Sequence, residues 1–527
     1  MKAPAILFVI ALIIRLAAIV FWQFDGLYGQ DPFAYYQQAL TIADNLPKGL
    51  PPPSDFFWPN GYPLLIAFFT LWVGRIPLAG QLAALLTGAL LSPLAYMLTK
   101  DLLMDIPSTH NSTNHRAGIL AGLIIAVAGQ PILSSVVIMA DMPALFWATL
   151  SAWLVVQASN LDNFRSADCN PHSSYRLQAG YFLAAGATLA LAIISRWIYV
   201  LLVPGLGLYV IFKMYRSRQF WWSSLLAILS GMIILGPQLW LSLNKSEGLL
   251  HSWLLGWQPI NFFQRQFENI DGHFSYQLPV GIFYAQPAGH PAYIFPLLGL
   301  ASLWGIWRLW QSKRWGVIIL LLGWIIPVYL FLGGIPYQNF RFGLTLYVPL
   351  VILTAFGTSN FIDRSSLYAS LLPRTPAPLH PRPIILLITT LSLLGMLGWA
   401  YPMLNSFLTI QNQSKNIAHQ VERALPPHAT LLTFGLTLTF QYYSQLDVQE
   451  LYYLDEVSLS DFTTTHNPSY LLLDLRNIET QWRGKTPQIN YLWLKENTTL
   501  TEMDRFPPYV LFKVEKASVN SVQHGNK

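Results

Sequence analysis

Residues 2–36 read KAPAILFVIALIIRLAAIVFWQFDGLYGQDPFAYY. The run from Ala5 to Phe24 is apolar apart from Arg15 and Gln23, and a stretch of about 20 such residues crosses a bilayer as a helix. No small-residue cleavage site precedes Phe21 and Trp22, so the segment reads as a retained signal anchor following Lys2. Beyond it, Gly29-Gln30-Asp31-Pro32-Phe33-Ala34-Tyr35-Tyr36 opens an amphipathic stretch that runs to about Asn45. Asp followed by Pro is an ordinary helix start, with Asp as N-cap and Pro at the first helical position. A capped helix start at a membrane surface also holds a carboxylate rigidly enough for chemistry, so the two readings of Asp31 are compatible.

The whole chain follows that opening. Of 527 residues, 53% are apolar and 11% charged, and the mean hydropathy is +0.41. Soluble domains carry about 25% charged residues, so a soluble globular protein is excluded. The 14% aromatic content excludes disorder as well. A single cysteine, Cys169, forms no intramolecular disulfide.

Eleven stretches have spanning length and composition, near residues 4–23, 78–99, 117–138, 142–158, 179–195, 197–213, 220–243, 292–310, 315–333, 342–359 and 383–404. The shorter run Tyr62 to Val73 reads as a helix lying along the interface. The expected fold is therefore a polytopic α-helical membrane protein of about 11 transmembrane helices, residues 1–404, followed by a small C-terminal α/β soluble domain, residues 405–527. Lys and Arg set the orientation. With the N-terminus cytoplasmic, fourteen of them fall inside, among them Lys100, Arg116, Lys213, Arg308 and Arg364; Lys48, Arg75, Arg196, Lys245, Arg265 and Arg341 fall outside. That placement puts two long loops, 25–78 and 244–291, and the C-terminal domain on the extracytoplasmic side of the cell membrane. Asp25, Asp31, Asp44, Asp55, Asp141, Glu247, Glu268 and Asp271 face the same way.

In the tail, Ala429 to Leu436, Val448 to Leu454, Tyr470 to Leu475 and Tyr509 to Val514 read as strands. Asn416 to Leu425 reads as a linking helix stopped by Pro426-Pro427. No internal repeat, phosphate-binding glycine loop, paired CxxC or HExxH is present.

Few residues are left to carry chemistry. Asp141, in Met139-Ala140-Asp141-Met142-Pro143, repeats the Asp31 arrangement at the outer end of the fourth helix. It is an N-cap by pattern, and the only charge in a short apolar connection, where an idle charge is costly. Arg196 lies at the turn between the fifth and sixth helices, and Arg341 opens the tenth. Each either snorkels to headgroups or, together with the other, grips a lipid phosphate, for which a guanidinium is shaped. Trp58-Pro59-Asn60-Gly61-Tyr62-Pro63 is a membrane-edge turn. His251, His273, His290, Glu268 and Asp271 have no metal-ligand spacing and read as a solvated loop. Arg15 faces a helix partner or a cavity.

In chain order these pieces resemble the GT-C glycosyltransferases, in the branch of the protein O-mannosyltransferases and the lipid A aminoarabinose transferases. The matching features are Asp31 after the first helix, the Trp58 to Pro63 segment, Asp141-Met142-Pro143, Arg196, His290-Pro291-Ala292-Tyr293 and Arg341-Phe342, over roughly residues 1–360. The resemblance implies transfer of a sugar from a polyprenyl-phosphate carrier to a glycan, lipid or protein acceptor, with inversion at the anomeric carbon. It implies Asp31 as general base, Asp141 orienting a substrate, Arg196 and Arg341 on the donor phosphate, and Tyr35, Tyr62 and His290 in substrate binding. The family often has a second acid where this chain has Pro32, which leaves a divalent metal at Asp141 as an open question. No other cofactor and no nucleic acid is implied. The alternatives are a polysaccharide polymerase or ligase using a lipid-diphosphate donor, and a non-enzymatic transporter of lipid-linked sugar. A transporter calls for ionisable residues at mid-bilayer and paired broken helices, of which the sequence offers Arg15 alone.

Overall fold

The computed structural model describes residues 2–53, 56–104, 111–164, 171–215, 218–243, 256–371 and 381–516. Asp55, Cys169, Lys245, Glu247 and His251 lie outside the described residues.

The first helices in chain order are α1 (Lys2–Trp22), α2 (Asp31–Asn45), α3 (Gly61–Val73), α4 (Leu78–Leu102), α5 (Asn111–Val127), α6 (Gly129–Val136), α7 (Asp141–Phe164), α8 (Pro171–Ser195), α9 (Leu202–Met214) and α10 (Arg218–Leu243). A hairpin of β1 (Gln266–Asn269) and β2 (Gly272–Ser275) follows, then α11 (Val280–Ala285), α12 (Pro296–Gln311), α13 (Trp315–Gly334), α14 (Leu344–Leu371) and α15 (Pro381–Ala424). Among the described residues nine helices are long and apolar enough to span a bilayer, or ten if the bent pair α5–α6 counts as one span. The chain is a multi-pass membrane protein. The central spans are the most enclosed: 94% of the Phe340–Asp363 window and 78% of Leu78–Leu102 is buried, against 6% of Trp221–Ser242, whose exposed tryptophans and isoleucines are suited to lipid. Helices approach closely through small residues, as in other membrane bundles. A Cβ on Gly357 of α14, for instance, would come within 1.9 Å of the Ala301 carbonyl of α12.

Three segments depart from the sequence expectation. The stretch 292–310 yields a helix of 16 residues, because Pro296 sits at its start; at 1.5 Å per residue it is about 24 Å long, short of a hydrocarbon core of about 30 Å. The stretch 117–138 is bent by 56° between α5 and α6. Pro131 has no N–H and its ring would collide with the Val127 carbonyl, so the helix breaks at Ala128, which is extended (φ −69°, ψ 133°). The third is the separate linking helix, which instead continues the last span in one 44-residue helix, α15. Nothing between Asn405 and Arg423 stops it before Pro426.

Arg15 serves the break in α5–α6. It is fully buried, and its guanidinium donates to the Ile125 carbonyl (3.3 Å), the Ala126 carbonyl (3.4 Å) and Ser135 Oγ (2.9 Å). The two carbonyls are groups that an interrupted helix leaves without an internal partner.

The chain divides into two compact units, one of residues 1–27, 34–263 and 278–408 and one of residues 28–33, 264–277 and 409–527. In the second unit lie β3 (Thr430–Thr433), α16 (Thr437–Tyr443), β4 (Asp447–Glu450), α17 (Glu456–Thr465), β5 (Ser469–Leu473), α18 (Leu475–Thr480), α19 (Thr486–Asn497), β6 (Thr498–Phe506) and β7 (Tyr509–Lys516). The sheet order is β4-β3-β5-β7-β6, with β3 parallel to β4 and β5 and the other pairs antiparallel. Strand β6 is absent from the sequence reading because it is an edge strand with mostly exposed residues and no apolar run.

The β1–β2 hairpin also belongs to this unit, which corrects the reading of His273, Glu268 and Asp271 as a loop, although all three remain exposed. His273 N donates to the Gln481 carbonyl (2.7 Å), Gln481 Nε2 donates to the Asp271 carbonyl (3.1 Å), and Lys485 Nζ bonds Glu268 Oε1 (2.8 Å). The hydrogen bond from Lys485 holds the Glu268 carboxyl below its ordinary pKa. A carboxylate with a depressed folded pKa contributes stability above its unfolded pKa, and this contribution disappears as pH falls through the lower, folded value. Acidification below about pH 4.5 is thus expected to lower the protection of the amides in residues 266–275, measured as exchange relative to the intrinsic rate at the same pH. In Glu268→Gln that acid dependence should be absent, and a wild-type dependence persisting in the variant would assign it to another group.

Candidate functional site

Arg341 is held from behind. It sits in a 3-10 turn, Phe340–Gly343, whose cap Asn339 accepts from the Arg341 backbone N–H (3.1 Å). Tyr284 donates to the Tyr337 carbonyl (2.9 Å) and accepts from Asn339 N (3.2 Å), Gln338 Nε2 donates to the Leu278 carbonyl (2.7 Å), and the Tyr293 hydroxyl donates to the Phe340 carbonyl. His290 packs its ring 5.0 Å from Phe340 and 5.8 Å from Trp399, and its Nδ1 accepts from Ala292 N (3.2 Å). Partial burial lowers the His290 pKa, which favours the neutral imidazole. With its backbone fixed, Arg341 extends Nη1 to Met139 Sδ (3.4 Å) and places its guanidinium carbon 5.8 Å from the Phe342 ring centre.

The same ring takes Arg196. This residue is extended between α8 and a 3-10 turn, Trp197–Leu201, and its guanidinium carbon lies 4.8 Å from the Phe342 centre. Its Nη1 pairs with Asp141 Oδ1. Asp141 is the first residue of α7 and 3% exposed, and its second oxygen, Oδ2, is buried without a hydrogen-bond partner among the described residues. The sequence reading took Asp141 as a lone charge; the fold gives it a counter-ion from another helix end, which resolves the cost of burying it. Met139, Asp141, Arg196, Arg341 and Phe342 thus form one cluster at the ends of α6, α7, α8 and α14.

An aromatic shelf flanks α3. Tyr62 is fully buried, with its hydroxyl donating to the Gly80 carbonyl (3.0 Å). Tyr35 packs on it at 5.3 Å and lies 5.8 Å from Phe56 and 6.5 Å from Trp58. Beside them is a polar network that sequence reasoning missed. Gln38 Nε2 donates to Asn60 Oδ1 (2.8 Å), and Asn60 donates to Gln238 Oε1 from its backbone (3.0 Å) and its side chain (3.2 Å). Two glutamines on otherwise apolar helix faces were the available signal. Gly61 carries this turn against α8, since a Cβ there would lie 2.6 Å from the Ile194 carbonyl, two residues before Arg196.

Asp31 opens α2, partly exposed, one turn before Tyr35 on the same helix face. It belongs to the second unit with the rest of residues 28–33. Among the described residues no group of three or more His, Cys, Asp or Glu is arranged to hold a metal ion.

The membrane helices and the terminal sheet have known counterparts. The chain shares its fold with GT-C glycosyltransferases of known structure. Residues 79–253 match the family model of dolichyl-phosphate-mannose-protein mannosyltransferase. The ArnT of Cupriavidus metallidurans bound to undecaprenyl phosphate is similar over 97% of both chains, at 15% identity and a TM-score of 0.59. The archaeal oligosaccharyltransferase AglB of Archaeoglobus fulgidus, in complex with an inhibitory peptide and a dolichol-phosphate, is similar over 99% of this chain and 75% of its own, at 12% identity and a TM-score of 0.60. No curated protein matches the sequence significantly.

Proposed function

We propose that this chain is an inverting integral-membrane glycosyltransferase, moving a sugar from a polyprenyl-phosphate carrier to an acceptor on the extracytoplasmic face. The observation that carries this reading is the pair of guanidiniums, Arg196 and Arg341, gathered on Phe342 at the helix ends. A polyprenyl chain stays in the bilayer while its phosphate meets that pair. The acceptor oxygen or nitrogen attacks the anomeric carbon as the bond from that carbon to the phosphate oxygen breaks, through an oxocarbenium-like state. Asp31 takes the acceptor proton. The phosphate leaves with one more negative charge than it carried as a diester, so cations aimed at it stabilise the transition state more than the ground state. Asp141 fixes Arg196 in place, and its second oxygen remains to orient a substrate hydroxyl. Tyr35 and Tyr62, both buried, brace the aromatic shelf on which the sugar site is built, and neutral His290 supports the turn carrying Arg341. Residues 405–527 form the extracytoplasmic domain in this reading.

The test is to present the purified protein with undecaprenyl-phosphate-linked hexoses and pentoses, and with the diphosphate-linked forms, and follow by mass spectrometry which lipid loses its sugar. Consumption of a monophosphate-linked sugar is expected. Consumption of diphosphate-linked donors alone would assign the chain to the polymerase or ligase class, and transbilayer movement of intact donor without sugar loss would assign it to a transporter.

A further inference from the structure

The six residues 28–33 are grouped with the second unit although the chain on either side of them, up to residue 27 and from residue 34, belongs to the first. The contacts within the second unit show what holds them. Phe33 is fully buried, with its ring 5.8 Å from Tyr442 and 6.0 Å, edge to face, from Tyr443. Those tyrosines are the last two residues of α16 and pack on each other at 4.9 Å. Tyr443 is itself braced by α15, where Lys415 Nζ stands 4.7 Å from its ring centre and the His419 ring lies 6.0 Å away. Its ring also rests against the apolar core made by Ile417, Val421 and Phe440. Residues 28–30, a tyrosine, a glycine and a glutamine ahead of α2, do not fix their own geometry; Phe33, in the first turn of α2, is the anchor two residues beyond Asp31.

We propose that Tyr442 and Tyr443 are positioning residues for the transfer reaction, seizing Phe33 so that the Asp31 carboxylate is held where it meets the acceptor. This rests on the reading of Asp31 as general base. A base must be within hydrogen-bond reach of the proton it takes, and a misplacement of about 1 Å costs about 100-fold in rate. The C-terminal domain is then part of the catalytic apparatus. It acts through Phe33 and not through a group of its own on the substrate.

The full-length protein in detergent, with the undecaprenyl-phosphate-linked sugar that the panel identifies, provides the test. Replacing both tyrosines (Tyr442→Ala with Tyr443→Ala) should lower kcat by about 10- to 100-fold and leave the donor KM within about twofold, since the phosphate site is untouched. Tyr442→Phe with Tyr443→Phe should restore kcat, because the contacts to Phe33 are made by the rings. Phe33→Ala removes the anchor without opening the domain core and should reproduce the kcat loss, which settles the matter if the double alanine variant does not fold. Amide exchange at residues 28–34 should quicken in the Phe33→Ala protein while β3, β5 and β7 stay protected. If Asp31→Asn is inactive and both Phe33→Ala and the double alanine variant turn over like wild type, the positioning role is overturned while the base survives. If Asp31→Asn is fully active, the base assignment falls and this proposal falls with it.

Discussion

Asp31→Asn is expected to reduce sugar transfer by about 10²- to 10⁴-fold, the range that a positioned general base contributes, in a protein that inserts and melts like wild type. The two readings of Asp31 separate in this variant. Asp31 is the first residue of α2, and asparagine has nearly the same shape, so α2 should begin at the same place. An amide cannot take the acceptor's proton, so only the chemistry is removed. Asp31→Glu keeps a carboxylate but displaces it by one methylene, and should fall between the two. Donor consumption by mass spectrometry, alongside a thermal melt in detergent, measures both sides of the comparison. Full turnover by Asp31→Asn would reduce the residue to the first residue of α2.

Arg341→Ala should lower kcat by about 10²- to 10³-fold, the usual loss when one donor to a developing anion is removed, with an unchanged melting temperature. The stability forecast follows from how the turn is built. Its backbone is fastened through Asn339, Gln338, Tyr284 and Tyr293, all of which remain in the variant. Arg341→Lys retains charge but not the planar group beside Phe342, so it should recover part of the rate. Arg196→Ala is the less clean experiment. It strands the buried Asp141 carboxylate, and losing one partner of such a pair costs about 3–5 kcal/mol of stability. Wild-type kcat and KM in Arg341→Ala would remove this residue from the phosphate site.

Much of the membrane body is legible in the sequence because hydropathy over about 20 residues reports directly on the solvent a helix sees. The helix starts at Asp31 and Asp141 and the strand runs around Leu431 and Leu471 were legible for the same local reason. Contacts between distant helices were not. Nothing near Asp141 in the chain names Arg196 as its partner, and Gln38, Asn60 and Gln238 become a network only once three elements converge. The β1–β2 hairpin escaped because its four-residue strands carry charges and have no alternating pattern; its stability comes from Gln481 and Lys485. The bend at Ala128 had a visible cause in Pro131. Its counterpart, the guanidinium that satisfies the broken backbone, was visible only as a misplaced charge.

That charge imposes an order on how the protein is made. Arg15 enters the bilayer within the first helix, where a lone arginine costs about 2.5–3.5 kcal/mol on insertion scales, and its hydroxyl partner Ser135 lies 120 residues further along the chain. At ribosomal rates of about 5–20 residues per second, the charge waits roughly 6–24 s for that partner. During that interval the guanidinium has the Ala11 carbonyl of its own helix to bond, and a chain cut off before Ser135 is expected to insert α1 less completely than the full chain.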